Sequence, residues 1–424
     1  MVAEWLAGAP ATIDETLWAG IRNVPGGRRL VSSHRGAPRV SRYWNPAEES
    51  EEPINNLADA ADAMRSAVTD AVRAHLRCID TPEIELSGGW DSSTVAVVAN
   101  ELHAAGAGPD FRLSSVVYPD DPPLDESPYI EAMERHLGRA SLKRPLHLAP
   151  FEILMDEGRE TRHPSRRDDW RAIEVSAAHR VTMTGDGGNE TLGGMWPSGP
   201  ALLADALLTR GPDGARPREL LAQTLRRHVR PSLPIPLRML RSPPLGLWLD
   251  RDFSRRVSLA RRFAVAEPAT RFTTLRRIAA LSWLNGWGMQ QSDLNTELDR
   301  GRYVELRQPL LDVRLVRLAL RLPARVMGTP YTDARHLHRH AFGSSLPALV
   351  TARTWGTEFT SLRVLELQRL VDGLGEPRRL ASAGWLDAAA ARDLIDSALL
   401  GASVHWRASL LYAVELWMKS ESHR

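Results

Sequence analysis

Glu83-Ile84-Glu85-Leu86-Ser87-Gly88-Gly89-Trp90-Asp91-Ser92-Ser93 reads as a short strand, a Ser-Gly-Gly turn and the opening of a helix. Glycines let the backbone curl so that successive N–H groups aim at one point, and the helix that follows adds its positive N-terminal end. The hydroxyls of Ser87, Ser92 and Ser93 supply further donors. The stretch predicts a phosphate cradle. Asp91 places a carboxylate beside the anion, which makes sense when a cation bridges the two, and hard oxygen ligands favour Mg2+. The spacing is not that of the G-x-x-x-x-G-K-S/T loop. A tight strand-to-helix turn with polar caps is the plain structural alternative.

Working outward, Leu57, Ala61, Met64, Val68, Val72 and Leu76 recur at helical spacing, predicting an amphipathic helix over Asn55–Leu76. After the quoted strand, Ser92–Ala104 reads as helix, Phe111–Tyr118 as a β-branched strand and Ser127–Leu137 as helix. Ser127-Pro128 opens that last helix and Gly138 stops it. Leu142–Leu148 and Arg180–Thr184 complete the strands. Strands alternating with helix-length segments predict an α/β fold, an open parallel sheet with helices on both faces.

Beyond Gly194 the sequence turns Leu/Arg-rich, with no further convincing strand, a proline-rich connection near Pro231–Pro244, and helices near 312–321, 333–345, 362–374, 387–400 and 404–418. Near the start, GGRRLVSSHRGAPRVSRYWNP reads as two strands around a Gly-Ala-Pro turn, a hairpin expected to lean on the rest of the chain.

The 424 residues suffice for one large or two ordinary domains, and 43% hydrophobic with 25% charged residues excludes a disordered or fibrous chain. A net charge of +2 gives no case for nucleic acid, and no membrane span or signal peptide is read, so the expectation is a cytoplasmic protein. The one cysteine, Cys78, is read as structural. Only Lys143 and Lys419 are lysines, so chemistry that needs a lysine has almost no candidates.

SGGWDSS resembles the pyrophosphate-binding loop of the asparagine-synthetase-like ATP pyrophosphatases. Thr184-Gly185-Asp186-Gly187-Gly188-Asn189-Glu190-Thr191-Leu192-Gly193-Gly194 is similar to that family's second glycine-rich loop. Glu305-Leu306-Arg307-Gln308-Pro309-Leu310-Leu311-Asp312 is similar to its LExRxPFLD segment. Asp14-Glu15-Thr16-Leu17, Val24-Pro25-Gly26-Gly27 and Tyr43-Trp44 look like the junction before the synthetase domain. Farther on, Arg335-His336-Leu337-His338-Arg339-His340-Ala341-Phe342, Leu346-Pro347, Gly384-Trp385-Leu386-Asp387 and Glu415-Leu416-Trp417-Met418 resemble the lasso-peptide cyclases.

The resemblance implies an adenine-nucleotide α-hydrolase (PP-loop) sheet with a large helical C-terminal region. Residues 1-50 would be a remnant of a glutaminase-like domain or a junction hairpin. Residues 51-424 would be the synthetase domain, with an α/β core over 51-200 and a mainly helical part over 201-424. It implies an ATP- and Mg2+-dependent ligase that adenylates an Asp or Glu side chain of a precursor peptide and joins it to the peptide's α-amine. A leader-binding protein and a leader peptidase would be its partners. Ser87, Gly88, Gly89, Asp91, Ser92 and Ser93 would hold pyrophosphate, Asp91 and Asn189 would face the metal, and Thr184 and Gly185 would line the adenylate. Glu305 matches the family's catalytic glutamate, with Asp186 and Arg353 as further candidates.

This chain departs from the family pattern in three places. Val2 stands where glutamine users carry a cysteine, so the amine is expected from the substrate or from solution. Asn189 stands in place of the second metal-binding aspartate, and Trp355 in place of the catalytic lysine. A non-catalytic peptide- or partner-binding relative and a small-molecule amide synthetase using free ammonia or amine therefore remain open. His336, His338 and His340 are read as alternating around a helix rather than sharing a face. His163 with Arg162, Arg166 and Arg167 reads as a solvated loop, and Trp283 with Trp287 as core.

Overall fold

The computed structural model describes residues 2–7, 12, 14–16, 18–33, 36–45, 53–119, 122–145, 181–193, 246, 248–266, 305–328, 333–354, 356–357, 360–401 and 405–421. Trp355, the Pro231–Pro244 connection, His163 with its arginines, and Trp283 with Trp287 lie outside them. Among the described residues β1 (Arg28–Ser33) and β2 (Gly36–Arg42) form an antiparallel pair. The strands β3 (Glu83–Glu85), β4 (Arg112–Val117), β5 (Ser141–Pro145), β6 (Val181–Met183) and β7 (Glu305–Arg307) form one parallel sheet in the order β5-β4-β3-β6-β7.

That order locates the site. From β3 the chain steps outward through β4 to β5, then returns to the far side of β3 as β6 and continues to β7. The segments that follow β3 and β6 thus leave in opposite directions, and in open parallel sheets the crevice at such a point is where ligands bind. Both glycine-rich stretches follow these two strands.

The helices form where the apolar spacing places them. Leu57–His75 is capped by Asn56, whose side chain accepts from the Ala58 and Asp59 amides, and its buried face carries Met64, Val68 and Val72. Trp90–Ala104 begins two residues earlier than read from the sequence. Ser127–Leu137 ends at Gly138 in the left-handed conformation, φ 65°, as its stop signal requires, while at its start the Asp125 carboxylate caps the Ser127 amide. Helices over Val313–Arg321, His336–Phe342, Thr360–Leu374, Ala388–Leu399 and His405–Glu421 realise the C-terminal series.

Three sequence expectations need correction. A strand does follow Gly194: β7 is three residues long and reads Glu-Leu-Arg, too short and too polar to show a period. The hairpin reverses between Ser33 and Gly36, leaving Gly36-Ala37-Pro38 inside β2. Its strands do not lean on the core, since Leu30, Val31 and Val40 are all exposed.

Among the described residues two apolar clusters result. The first joins the Leu57–His75 and Trp90–Ala104 helices to Ile84, Met183, Leu310, Leu337, Phe342 and Val350. The second joins Trp5 and Leu6 to Trp248, Phe253, Leu394 and Tyr412. The first cluster thus draws Leu310, Leu337, Phe342 and Val350 onto the parallel sheet.

A buried ion pair spans that sheet. Glu83 of β3, fully buried, accepts from Arg144 of β5 at 2.8 and 3.0 Å and from Ser114 of β4 at 2.8 Å. Removing one partner of a buried pair strands the other charge and costs about 3–5 kcal/mol. Arg144→Ala should lower unfolding stability in urea by about 3 kcal/mol or more, and a loss below about 1 kcal/mol would contradict this bracing role.

Candidate active site

Ser87, Gly88 and Gly89 turn the chain from β3 into the Trp90–Ala104 helix. Gly88 has φ 71°, and a side chain there would meet Tyr129 Cβ at 2.5 Å and the Ile130 amide at 2.9 Å, so only glycine fits. Ser87 Oγ lies 3.0 Å from Ser92 Oγ and accepts from the Gly89 amide at 3.3 Å, which closes the turn on itself. The helix has no side-chain cap, so its first amides and its positive end face the crevice. Ser93 is fully buried in this first turn, and its hydroxyl has no hydrogen-bond partner among the described residues.

Trp90 anchors the turn from behind. Its indole N–H donates to the Arg353 carbonyl at 3.0 Å, its ring lies 5.0 Å from the His338 ring, and Arg339 stacks over it at 4.9 Å.

The second glycine stretch follows β6 and lies directly on that helix. A Cβ on Gly185 would sit 2.5 Å from the Ser92 amide nitrogen, and one on Gly188 would overlap the Asp91 carboxylate. Thr184 is buried and donates through its hydroxyl to Asp186 at 3.0 Å; Gln308 donates to the same carboxylate at 3.1 Å. The structure therefore brings Ser87, Gly88, Gly89, Asp91, Ser92, Ser93, Thr184, Gly185, Asp186 and Asn189 together.

Glu305 is placed otherwise, and Arg353 reaches the glycine turn from its outer side. Glu305 is the first residue of β7, paired level with Val181, two residues short of the crevice edge. It is 61% exposed and clasped by Arg307 at 2.8 and 3.1 Å, which holds its carboxyl below the usual range. The Arg353 side chain is buried, ion-paired to Glu126, hydrogen-bonded to Thr357 at 2.6 Å and stacked on Tyr129 at 4.5 Å. Its Nη2 makes those polar contacts, while its Nη1 lies 4.0 Å from where a Gly89 side chain would begin, so the guanidinium sits against the glycine turn.

The residue that sequence reasoning passed over is Arg335. Its guanidinium grips both oxygens of Asp91, at 2.5 and 2.9 Å, donates to Asn189 Oδ1 at 2.7 Å, and stands 3.3 Å from His338 Nδ1. His338 is fully buried; burial depresses its pKa well below the ordinary value, so the ring is neutral. Its Nε2 lies 2.8 Å from Thr94 Oγ1, which itself donates to the Trp90 carbonyl. Nε2 therefore carries the hydrogen and Nδ1 faces the guanidinium as acceptor. Only the subgroup resemblance drew attention to this segment, and the contact to Asp91 spans 244 residues. On the same helix, the rings of His336 and His340 come within 4.7 Å, so these two do share a face, contrary to the sequence reading.

Asp91 and Asn189 were the residues assigned to Mg2+. Both carboxylate oxygens of Asp91 and the Asn189 carbonyl are already engaged by one cation of the chain itself. No group of three or more His, Cys, Asp or Glu side chains suited to a metal occurs among the described residues. Of the two assigned ligands, one carboxylate and one neutral amide, both are held by Arg335, and that pair does not fit a hard divalent ion.

A family model described as asparagine synthase matches residues 63–419. Proteins of Mycobacterium tuberculosis and Mycobacterium bovis, provisionally named as glutamine-hydrolysing asparagine synthetases, are each 25% identical over 374 residues, covering 80% of this chain and 54% of their own length. Bacillus subtilis asparagine synthetase 3, also named as glutamine-hydrolysing, is 26% identical over 204 residues, 44% of this chain and 32% of its own. The chain thus spans about half or less of the length of these relatives.

Glu190, beside Asp91 and Asp186, yields a pH prediction. Burial and, to a lesser degree, those two carboxylates push its carboxyl from 4.5 up to about 7. The folded state then binds this proton more tightly than the unfolded chain, so stability falls as pH rises from 4.5 through about 7. Glu190→Gln should flatten the Tm profile across that window and gain about 1–3 kcal/mol above it. A variant that tracks the wild type at every pH would contradict the assignment.

Proposed function

This chain belongs to the asparagine synthase family, and from that premise we propose an ATP-dependent ligase that adenylates a carboxylate and passes the acyl group to an amine. The observation that carries the proposal is the meeting of two glycine turns on one uncapped helix N-terminus at the reversal point of a parallel sheet. An anion site of backbone amides, walled by a second loop, is what holding a triphosphate requires.

A carboxylate is a poor acyl donor because its oxygen leaves badly. Attack of the carboxylate oxygen on the α-phosphorus of ATP forms the acyl–AMP bond and breaks the bond to pyrophosphate. The amine then attacks the acyl carbon, AMP leaves, and the amine gives up a proton. The uncapped amides and the Ser87–Ser92 hydroxyl pair are suited to holding the departing pyrophosphate. Glu190, with a pKa of about 7, has the proton affinity that a base at neutral pH needs.

For the substrate, we favour a precursor peptide whose own α-amine closes a macrolactam, served by a leader-binding protein and a leader peptidase. The support is the run of C-terminal segments from Arg335 to Met418 that resemble lasso-peptide cyclases. A tethered amine gains high effective concentration. A second reading, a non-catalytic relative, is favoured by the engagement of Asp91 and Asn189 with Arg335.

Incubating the protein with ATP and a candidate precursor peptide separates these readings. The ligase is expected to release AMP and pyrophosphate in step with a one-water mass loss from the peptide. Asp91→Ala, folded by circular dichroism, should cut AMP release by about 100-fold or more. Peptide amidation by free ammonia would point to the amine-dependent synthetase. Absence of AMP across a set of candidate peptides, from a protein that binds ATP, would favour the non-catalytic relative or a small-molecule substrate.

A further inference from the structure

We propose that Arg335 is the resident cation of this site: its guanidinium holds Asp91 and Asn189 in the place where a divalent metal would bridge them, so the protein binds the nucleotide's phosphates without requiring Mg2+. This rests on the nucleotide-binding reading above and goes beyond it.

Four acceptors fix the guanidinium. Asp91 takes two of its N–H groups in a bidentate fork, Asn189 takes a third interaction at 2.7 Å, and His338 Nδ1 stands at 3.3 Å. The Arg335 amide is held in turn by Asp333 Oδ1 at 3.0 Å, which sets the start of the helix that carries His338. Side-chain exposure is 17% for Arg335 and 18% for Asp91, so the pair is largely withdrawn from water. A planar fork on a carboxylate loses little further freedom on binding, and it exchanges partners at a higher cost than a flexible lysine would.

The charges explain why residue 189 is an amide. Asp91 and Arg335 cancel, and Asn189 adds an oxygen acceptor without adding charge. An aspartate at 189 would leave the cluster one negative charge in excess beside Asp186 and Glu190, at the spot where a phosphate must arrive, and a metal would then be needed to offset it. With Asn189 the Asp91–Arg335 pair itself is neutral and adds nothing to the negative charge of Asp186 and Glu190, and the helix N-terminus supplies the attraction. Arg335 and Asn189 are thus one coupled feature of the site.

Isothermal titration of the full chain with ATP and with inorganic pyrophosphate, each in excess Mg2+ and in EDTA, tests this. Wild-type affinity is expected to differ by less than about threefold between the two conditions. The double variant Asn189→Asp/Arg335→Ala rebuilds a two-carboxylate site and should need metal by about tenfold or more. The same variant should bind Mn2+ by electron paramagnetic resonance where the wild type gives only the free-ion signal. Wild-type binding that collapses about tenfold or more in EDTA, or a protein-bound Mn2+ signal in the wild type, would overturn the proposal while leaving the nucleotide reading intact. Failure to bind ATP in either condition would overturn both.

Discussion

Backbone resting on backbone is the constraint from which the site follows. Gly185 and Gly188 lie against the first turn of the Trp90–Ala104 helix so closely that a methyl group at either position would overlap the Ser92 amide or the Asp91 carboxylate. That approach is possible because β3 and β6 are neighbours in a parallel sheet and their following turns part in opposite directions. It also fixes where Asp91 points, and hence where Arg335 must come to meet it. The sheet beneath is braced by Glu83 and Arg144, and the turn above by Trp90, Tyr129 and Arg353.

What the sequence made legible was local. The strand, the double glycine and the helix start around Ser87–Ser93 follow from residue type and order, and the helices follow from their apolar spacing. The residues of the Ser-Gly-Gly turn were recognisable as a candidate site because their pattern is written in adjacent positions. The rest depends on distance along the chain. Arg335 reaches Asp91 across 244 residues and carries no local mark of that partner. Arg353, a candidate from the family pattern, is ion-paired to Glu126, 227 residues away, a partner nothing local announces. Glu305 matched a family motif, yet β7 pairs so that its carboxylate meets Arg307 rather than the crevice.

Family membership and geometry speak to different parts of the account. The asparagine synthase match covers residues 63–419 and places this chain in that family. No helix among the described residues is long and apolar enough to cross a membrane. The proposed substrate, amine and metal dependence turn on particular side chains, which is why the Asp91–Arg335–Asn189 cluster bears on them more than overall similarity does.

Hydrogen exchange read by mass spectrometry, with and without ATP, addresses the central claim that the nucleotide binds at the junction of the two glycine turns. The account predicts that ATP slows exchange in peptides covering residues 87–93 and 184–192 together, with β1 and β2 unchanged. Protection confined to any other part of a chain that binds ATP would contradict it.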